Sequence, residues 1–186
     1  MTKPERARWE DAILALFGGL AFAAVGAREH EDWRRDAVDV MRVRSADPRG
    51  WKSINSAPDG DVWTVCGPEM PFLPPSLEDF DSVFPVSSRS AAQILVTLQG
   101  ESFYEGNIPH FDDRKEELLE HAAVILERFG QGAACYTNAG AARENPDADM
   151  FAREGEYECF TDYTMDCGVI AVSDSEVGVF WAFMID

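Results

Sequence analysis

Residues 177–185 (VGVFWAFMI) are apolar on both faces that a strand presents, with Val179, Trp181 and Phe183 opposing Phe180, Ala182 and Met184. A strand without a wet face belongs in the middle of a sheet covered on both sides. This segment therefore demands a layered fold. Residues 168–173 (GVIAVS) read as a second apolar strand, and Asp174-Ser175-Glu176 is short enough to close an antiparallel hairpin between the two. Strands are also expected at 133–137 (AACYT) and at 156–163 (EYECFTDY), the latter paired with 177–185 in one mainly antiparallel sheet.

The clearest helix is 112–129. Leu118, Ala122, Ile125 and Phe129 share one face, Asp113 is placed to cap with Glu116 three residues on, and Gly130 supplies a left-handed stop. Residues 4–17 form an N-terminal helix, with Pro4 in the first turn and Trp9, Ile13, Leu16, Phe17 and Leu20 at three- and four-residue spacing. Leu20 to Ala27 fits either a second helical piece or a buried strand. Residues 28–36 read as polar and exposed, and 37–44 (AVDVMRVR) as a strand because Val38 and Val40 flank Asp39. Short strands are predicted at 61–66 and 93–98 (QILVTL). The expected class is α+β, a mainly antiparallel sheet with the helix at 112–129 and the N-terminal helix packed on it.

One globular domain spanning 1–186 is expected from the length. Within it, Pro68, Pro71, Pro74, Pro75 and Pro85 make 67–90 an internal loop that no long regular element survives. Ser76 and Asp79 suit a short capped turn there, and Leu73, Leu77, Phe80, Val83 and Phe84 are expected to pin the loop to the core. Ala12 to Ala27 is uncharged, but it is shorter than the ~20 residues that cross a bilayer and follows Glu5, Glu10 and Asp11. It is read as a buried structural segment rather than a leader, and the expected location is a bacterial-type cytoplasm.

Charge sets the functional expectations. There are 34 Asp and Glu against 16 Lys and Arg, a net of -18. Residues 101–186 carry 19 of the acids and 5 of the bases. Such a surface repels phosphate backbones and anionic lipid, and attracts a basic protein or a basic groove that ordinarily holds nucleic acid. Direct nucleic-acid and membrane binding are accordingly not expected. The bases Arg28, Arg34, Arg35, Arg42, Arg44, Arg49 and Lys52 each have acidic neighbours, so internal pairing explains them better than phosphate binding.

Chemistry-bearing motifs are weak. There is no phosphate loop, Gly-x-Ser-x-Gly or His-Glu-x-x-His, and His30, His110 and His121 lie far apart. Cys66, Cys135, Cys159 and Cys167 lack chelate or scaffold spacing and are read as reduced thiols. Asn145-x-Asp147-x-Asp149 with Glu156 imitates a calcium loop, but Met150 stands where glycine is needed, so it is read as a solvated acidic loop. No catalytic, cofactor or metal residues are assigned. The candidate partner surface is the mixture of Glu154, Glu156, Tyr157, Glu158, Phe160, Asp162 and Tyr163, where rings supply apolar contact and acids supply steering.

The leading expectation is a non-enzymatic, acidic protein-binding domain, an inhibitor or immunity-type protein neutralising a basic toxin or nuclease. The alternatives are a small hydrolase with a carboxylate or cysteine site and a self-associating structural domain, the last implying a homo-oligomer.

Overall fold

The computed structural model describes residues 6–17, 21–56 (backbone alone at 55 and 56), 72, 76–151, 157–161 and 163–184. The chain runs α1 (Arg6–Leu16), β1 (Ala21–Ala27), α2 (Trp33–Met41), β2 (Ile54–Ser56), a 3₁₀ turn (Glu78–Ser82), β3 (Phe84–Val86), α3 (Ser88–Thr97), α4 (Phe111–Glu127), β4 (Ala134–Thr137), α5 (Gly140–Glu144), β5 (Met165–Val172) and β6 (Glu176–Met184). Two short 3₁₀ turns, Glu101–Phe103 and Glu105–Asn107, join α3 to α4. The six described strands form one sheet in the order β2-β1-β6-β5-β4-β3, every neighbouring pair antiparallel. The fold is α+β.

As its two apolar faces require, β6 lies inside the sheet, between β1 and β5. Its residues alternate between two cores. Phe180 and Ala182 join the larger one, with residues of α1, α3 and α4, while Val177, Val179, Trp181 and Phe183 join a second built with Ala37, Val40 and Met41 of α2. The sheet is thus sandwiched. Phe72 and Phe80, from the proline-rich stretch, are buried in the second core, so at least these rings pin that stretch down.

Several elements differ from expectation, each for a local reason. Residues 93–98 lie mostly in helix α3 rather than in a strand: the Ser87 hydroxyl accepts from Ser90 N–H at 3.3 Å and starts the helix. A short apolar run buried almost all round fits either element. Residues 37–41 belong to α2, capped by Asp32, whose carboxylate accepts from Arg34 N–H at 3.1 Å. Its buried residues, Asp36, Ala37, Val40 and Met41, follow helical spacing, and Asp36 overturns the expectation that 28–36 is wholly exposed. Helix α4 begins at Phe111 with left-handed His110 (φ 55°) before it, so Asp113 sits in the first turn rather than at the cap. The Phe111 ring against Phe151, centroids 5.1 Å apart, accounts for the earlier start. Gly130 has φ 83°, the left-handed stop expected. At the Ser76 turn, Asp79 accepts from Ser76 N–H, while the Ser76 hydroxyl does not cap. The undecided segment before Ala27 is strand β1. The strand expected at 61–66 lies outside the described residues.

The strand expected at 156–163 is absent from the described part of that segment. Tyr157 makes an isolated bridge to Ala139, and beyond it the backbone N–H groups of Phe160 and Thr161 go to the Asp166 carboxylate instead of a ladder. The neighbour of β6 on that side is β5.

Candidate functional site

At least half of the described Lys and Arg side chains are held in ion pairs. Arg128, at the end of α4, is fully buried as a side chain and bonds Asp47 through both terminal nitrogens at 2.7 and 2.9 Å. It also donates to Glu176 at 2.9 Å, which receives Arg49 at 2.6 and 2.8 Å. Trp9 and Trp51 cover this neutral quartet, with the Arg128 guanidinium 4.9 and 4.8 Å from their ring centroids. Burial works against the Arg128 charge, but Asp47 and Glu176 outweigh it and raise its proton affinity. Arg28 bonds the buried Asp36 at 3.0 Å, and His30 Nδ1 meets the same carboxylate at 2.7 Å. Arg34 pairs with Asp32, Arg6 with Glu10, Arg8 with Glu127 and Arg143 with Glu158.

Exposed acids without a Lys or Arg ion partner among the described residues include Glu78, Asp79 and Asp81 of the first 3₁₀ turn, Glu101, Glu144, Asp147 and Asp174, and a row on the outer face of α4. Asp112, Glu116 and Glu120 follow at four-residue intervals, with Asp113 and Glu117 beside them, all exposed. Among the described residues no Lys or Arg forms an ion pair with these five; Glu117 faces only His121, at 3.7 Å. The row runs about 12 Å along the axis at ~1.5 Å per residue. Like charges four apart weaken a helix by a few tenths of a kcal/mol each. The α4 core face (Leu118, Ala122, Ile125) supplies the packing that outweighs this.

The residues singled out from sequence are placed differently. Phe160 is buried, edge-on to Phe80 (5.4 Å) and Trp181 (5.2 Å). Tyr157 is half-buried against Phe103, and Tyr163 against Phe183. These rings face the two cores. Glu158 is exposed and held by Arg143 at 2.6 Å. Glu154, Glu156 and Asp162 lie outside the described residues. The acidic loop 145–149 is knitted internally: Asn145 Oδ1 accepts from Asp147 N–H, and Asp149 Oδ1 accepts from Gln93 at 3.0 Å and from Phe151 N–H. Among the described residues no group of three or more His, Cys, Asp or Glu is placed to hold a metal ion.

Two groups were not anticipated from sequence. Asp166, with no exposed surface, accepts from Phe160 N–H (2.9 Å), Thr161 N–H (2.9 Å), Thr161 Oγ1 (2.6 Å), Trp181 Nε1 (2.8 Å) and Asn138 Nδ2 (3.2 Å). Burial raises its proton affinity, and the bonds from Thr161, Trp181 and Phe160 oppose that rise. Arg128 is the other. A signal existed for each: a charge between apolar residues of a strand (Met165-Asp166-Cys167) and one beside the core-facing Phe129. Burial also pushes the Cys135 thiol up to about 11 and Cys167 well above its ordinary value, so both stay protonated at neutral pH. Cys159 is exposed and Cys66 lies outside the described residues.

Two open clefts are lined by described residues. One of about 410 Å³ lies between the ends of α1 and β6 and residues 98–103, and one of about 480 Å³ lies at the start of α4 around His110 and Asp112. No described helix is long and apolar enough to cross a membrane. Comparison with protein families, curated proteins and solved structures finds no match to this chain.

Proposed function

We propose that this protein is a non-enzymatic binding domain for a basic protein, of the inhibitor or immunity type, and that the outer face of α4 is its steering surface. The observation that carries this reading is the row Asp112, Asp113, Glu116, Glu117 and Glu120, exposed and without a Lys or Arg partner among the described residues. Other exposed acids, such as Glu78, Asp79 and Asp81, are also without a Lys or Arg ion partner among the described residues, but α4 presents the longest regular row of them. A field of this kind accelerates encounter with a basic surface and is screened as the Debye length shortens. Because the rings of Tyr157, Phe160 and Tyr163 face the cores, this reading takes α4 rather than the 154–163 segment as the first contact.

The test is capture from an extract of the native host at about 0.15 M and about 0.5 M salt, using the parent chain and a Glu116→Lys/Glu120→Lys variant. The reading expects one strongly basic protein to be retained by the parent, and lost both in the variant and at high salt. Its interaction is then measured with purified components, where the variant should mainly slow association. Retention that ignores both salt and charge reversal, or no specific retention, removes the reading.

A further inference from the structure

The cleft between the ends of α1 and β6 has apolar walls: Leu16 and Phe17 at the end of α1, Leu98 and Phe103 beyond α3, and Met184 at the end of β6. Donors along its 98–103 wall are engaged. The Gln99 side-chain amide donates to the Val96 carbonyl (3.3 Å), Gly100 N–H to the Thr97 carbonyl (2.9 Å), Phe103 N–H to the Gly100 carbonyl (2.9 Å) and Ser102 N–H to the Met184 thioether (3.0 Å). The carboxylate of Glu101, on the same wall, is exposed and has no Lys or Arg ion partner among the described residues. Helices α1 and α3 both end at this cleft, neither with a base in its last turn, so the partial negative charge of two helix ends is brought to one place. The stretches that supply every lining residue, 9–27, 90–113 and 154–186, contain no Lys or Arg at all.

We propose that this cleft binds a small organic cation, a primary ammonium on an apolar stem, with the stem along the apolar walls and the ammonium at Glu101. Its volume, about 410 Å³, suits such a molecule, since small-molecule sites span roughly 300–1,000 Å³. An anion entering here meets a carboxylate, two negative helix ends and no counter-charge. A neutral apolar molecule fits the walls but gains nothing from Glu101. An ammonium satisfies both requirements, because it brings the donors that the wall lacks and the charge that the wall attracts. Glu101 is exposed, so its share of the affinity is modest and sets selectivity more than strength. The proposal is independent of the α4 reading, because it uses no residue of that row and requires no protein partner.

Titration of the isotope-labelled protein with hexylammonium, hexanol and hexanoate, followed by NMR, tests it. Hexylammonium should shift the amides of residues 15–17, 98–103 and 182–184 in a saturable way. Hexanol should shift the same set with an affinity about fivefold weaker, the margin of one exposed ion pair, and hexanoate should not bind there. Glu101→Gln should bring hexylammonium down to the level of hexanol and leave hexanol unchanged. Ala15→Phe, which fills the cleft from a half-buried position, should abolish the binding of both. If that variant does not fold, Glu101→Gln and the hexanoate arm decide. No saturable shift at these amides, hexanoate bound as tightly as hexylammonium, or an ammonium preference that survives Glu101→Gln would overturn the cation site.

Discussion

Gly168 lies directly opposite Trp181 in the β5–β6 register, and a Cβ placed on Gly168 would run into the Trp181 ring and the Phe180 carbonyl. The indole therefore lies over bare backbone, where it packs edge-on to Phe72 and Phe160. Gly168→Ala should cost about 1–3 kcal/mol through overpacking. Trp181→Ala should cost about 3–5 kcal/mol through the cavity it leaves and the lost bond to Asp166. Urea unfolding of both variants checks the pair; a value under ~1 kcal/mol for Trp181→Ala would contradict a packed central strand.

Val43 ends α2 in the left-handed region, φ 55°, and is 56% exposed. Its N–H reaches Val40 O (3.0 Å) and Arg44 N–H reaches Asp39 O (2.8 Å), the paired bonds of a Schellman stop. A β-branched residue is strained there, and little burial is lost by removing the side chain. Val43→Gly should stabilise the protein by roughly 0.5–1 kcal/mol, strain relief exceeding the added freedom of the unfolded chain. A loss of stability on substitution would show that the side chain has a role in the fold.

The Arg128–Asp47–Glu176–Arg49 quartet predicts an asymmetric response. Arg128→Ala leaves two buried carboxylates with only Arg49 between them and should cost about 3–5 kcal/mol. Arg128→Lys should recover only part of this, because an ammonium cannot bond Asp47 and Glu176 in the same fork. Equal stability of the Lys variant and the parent in denaturant titration would refute the geometric role.

The pH dependence of stability carries the signature of Asp166. Its folded proton affinity is raised by burial, so its favourable contribution is full when protonated and is lost as pH rises from the ordinary value of about 3.9 through the folded one. Repulsion among the other acids has the same sign but is shared with Asp166→Asn. The stability difference, parent minus variant, should therefore shrink as pH rises through that window. A difference that grows would mean the five donors outweigh burial.

Thiol labelling of the native protein near pH 8 should modify Cys159 and spare Cys135 and Cys167, which burial holds protonated and out of reach. Peptide mass mapping reads this directly; labelling of Cys135 as fast as Cys159 would contradict its place in the core.

The sequence by itself determined the α+β class, the interior position of β6, its hairpin with β5, and the helices at both ends of α1 and α4's span. Each rests on a periodicity longer than a turn or on a two-faced apolar strand, and neither has a competing solution. Only the tertiary structure decided the short apolar runs: 93–98 reads equally well as strand or helix until Ser87 caps it, and Val38-Asp39-Val40 imitates alternation inside α2. It also decided which way the rings of Tyr157, Phe160 and Tyr163 face, and that a row of α4 carboxylates has no Lys or Arg ion partner among the described residues while Arg128 and Arg49 are taken up elsewhere. Those outcomes depend on hydrogen bonds and ion pairs between residues far apart in the chain, such as Arg128 with Asp47 and Arg49 with Glu176. Composition is blind to them, because a carboxylate paired in the core and one standing in water contribute the same letter.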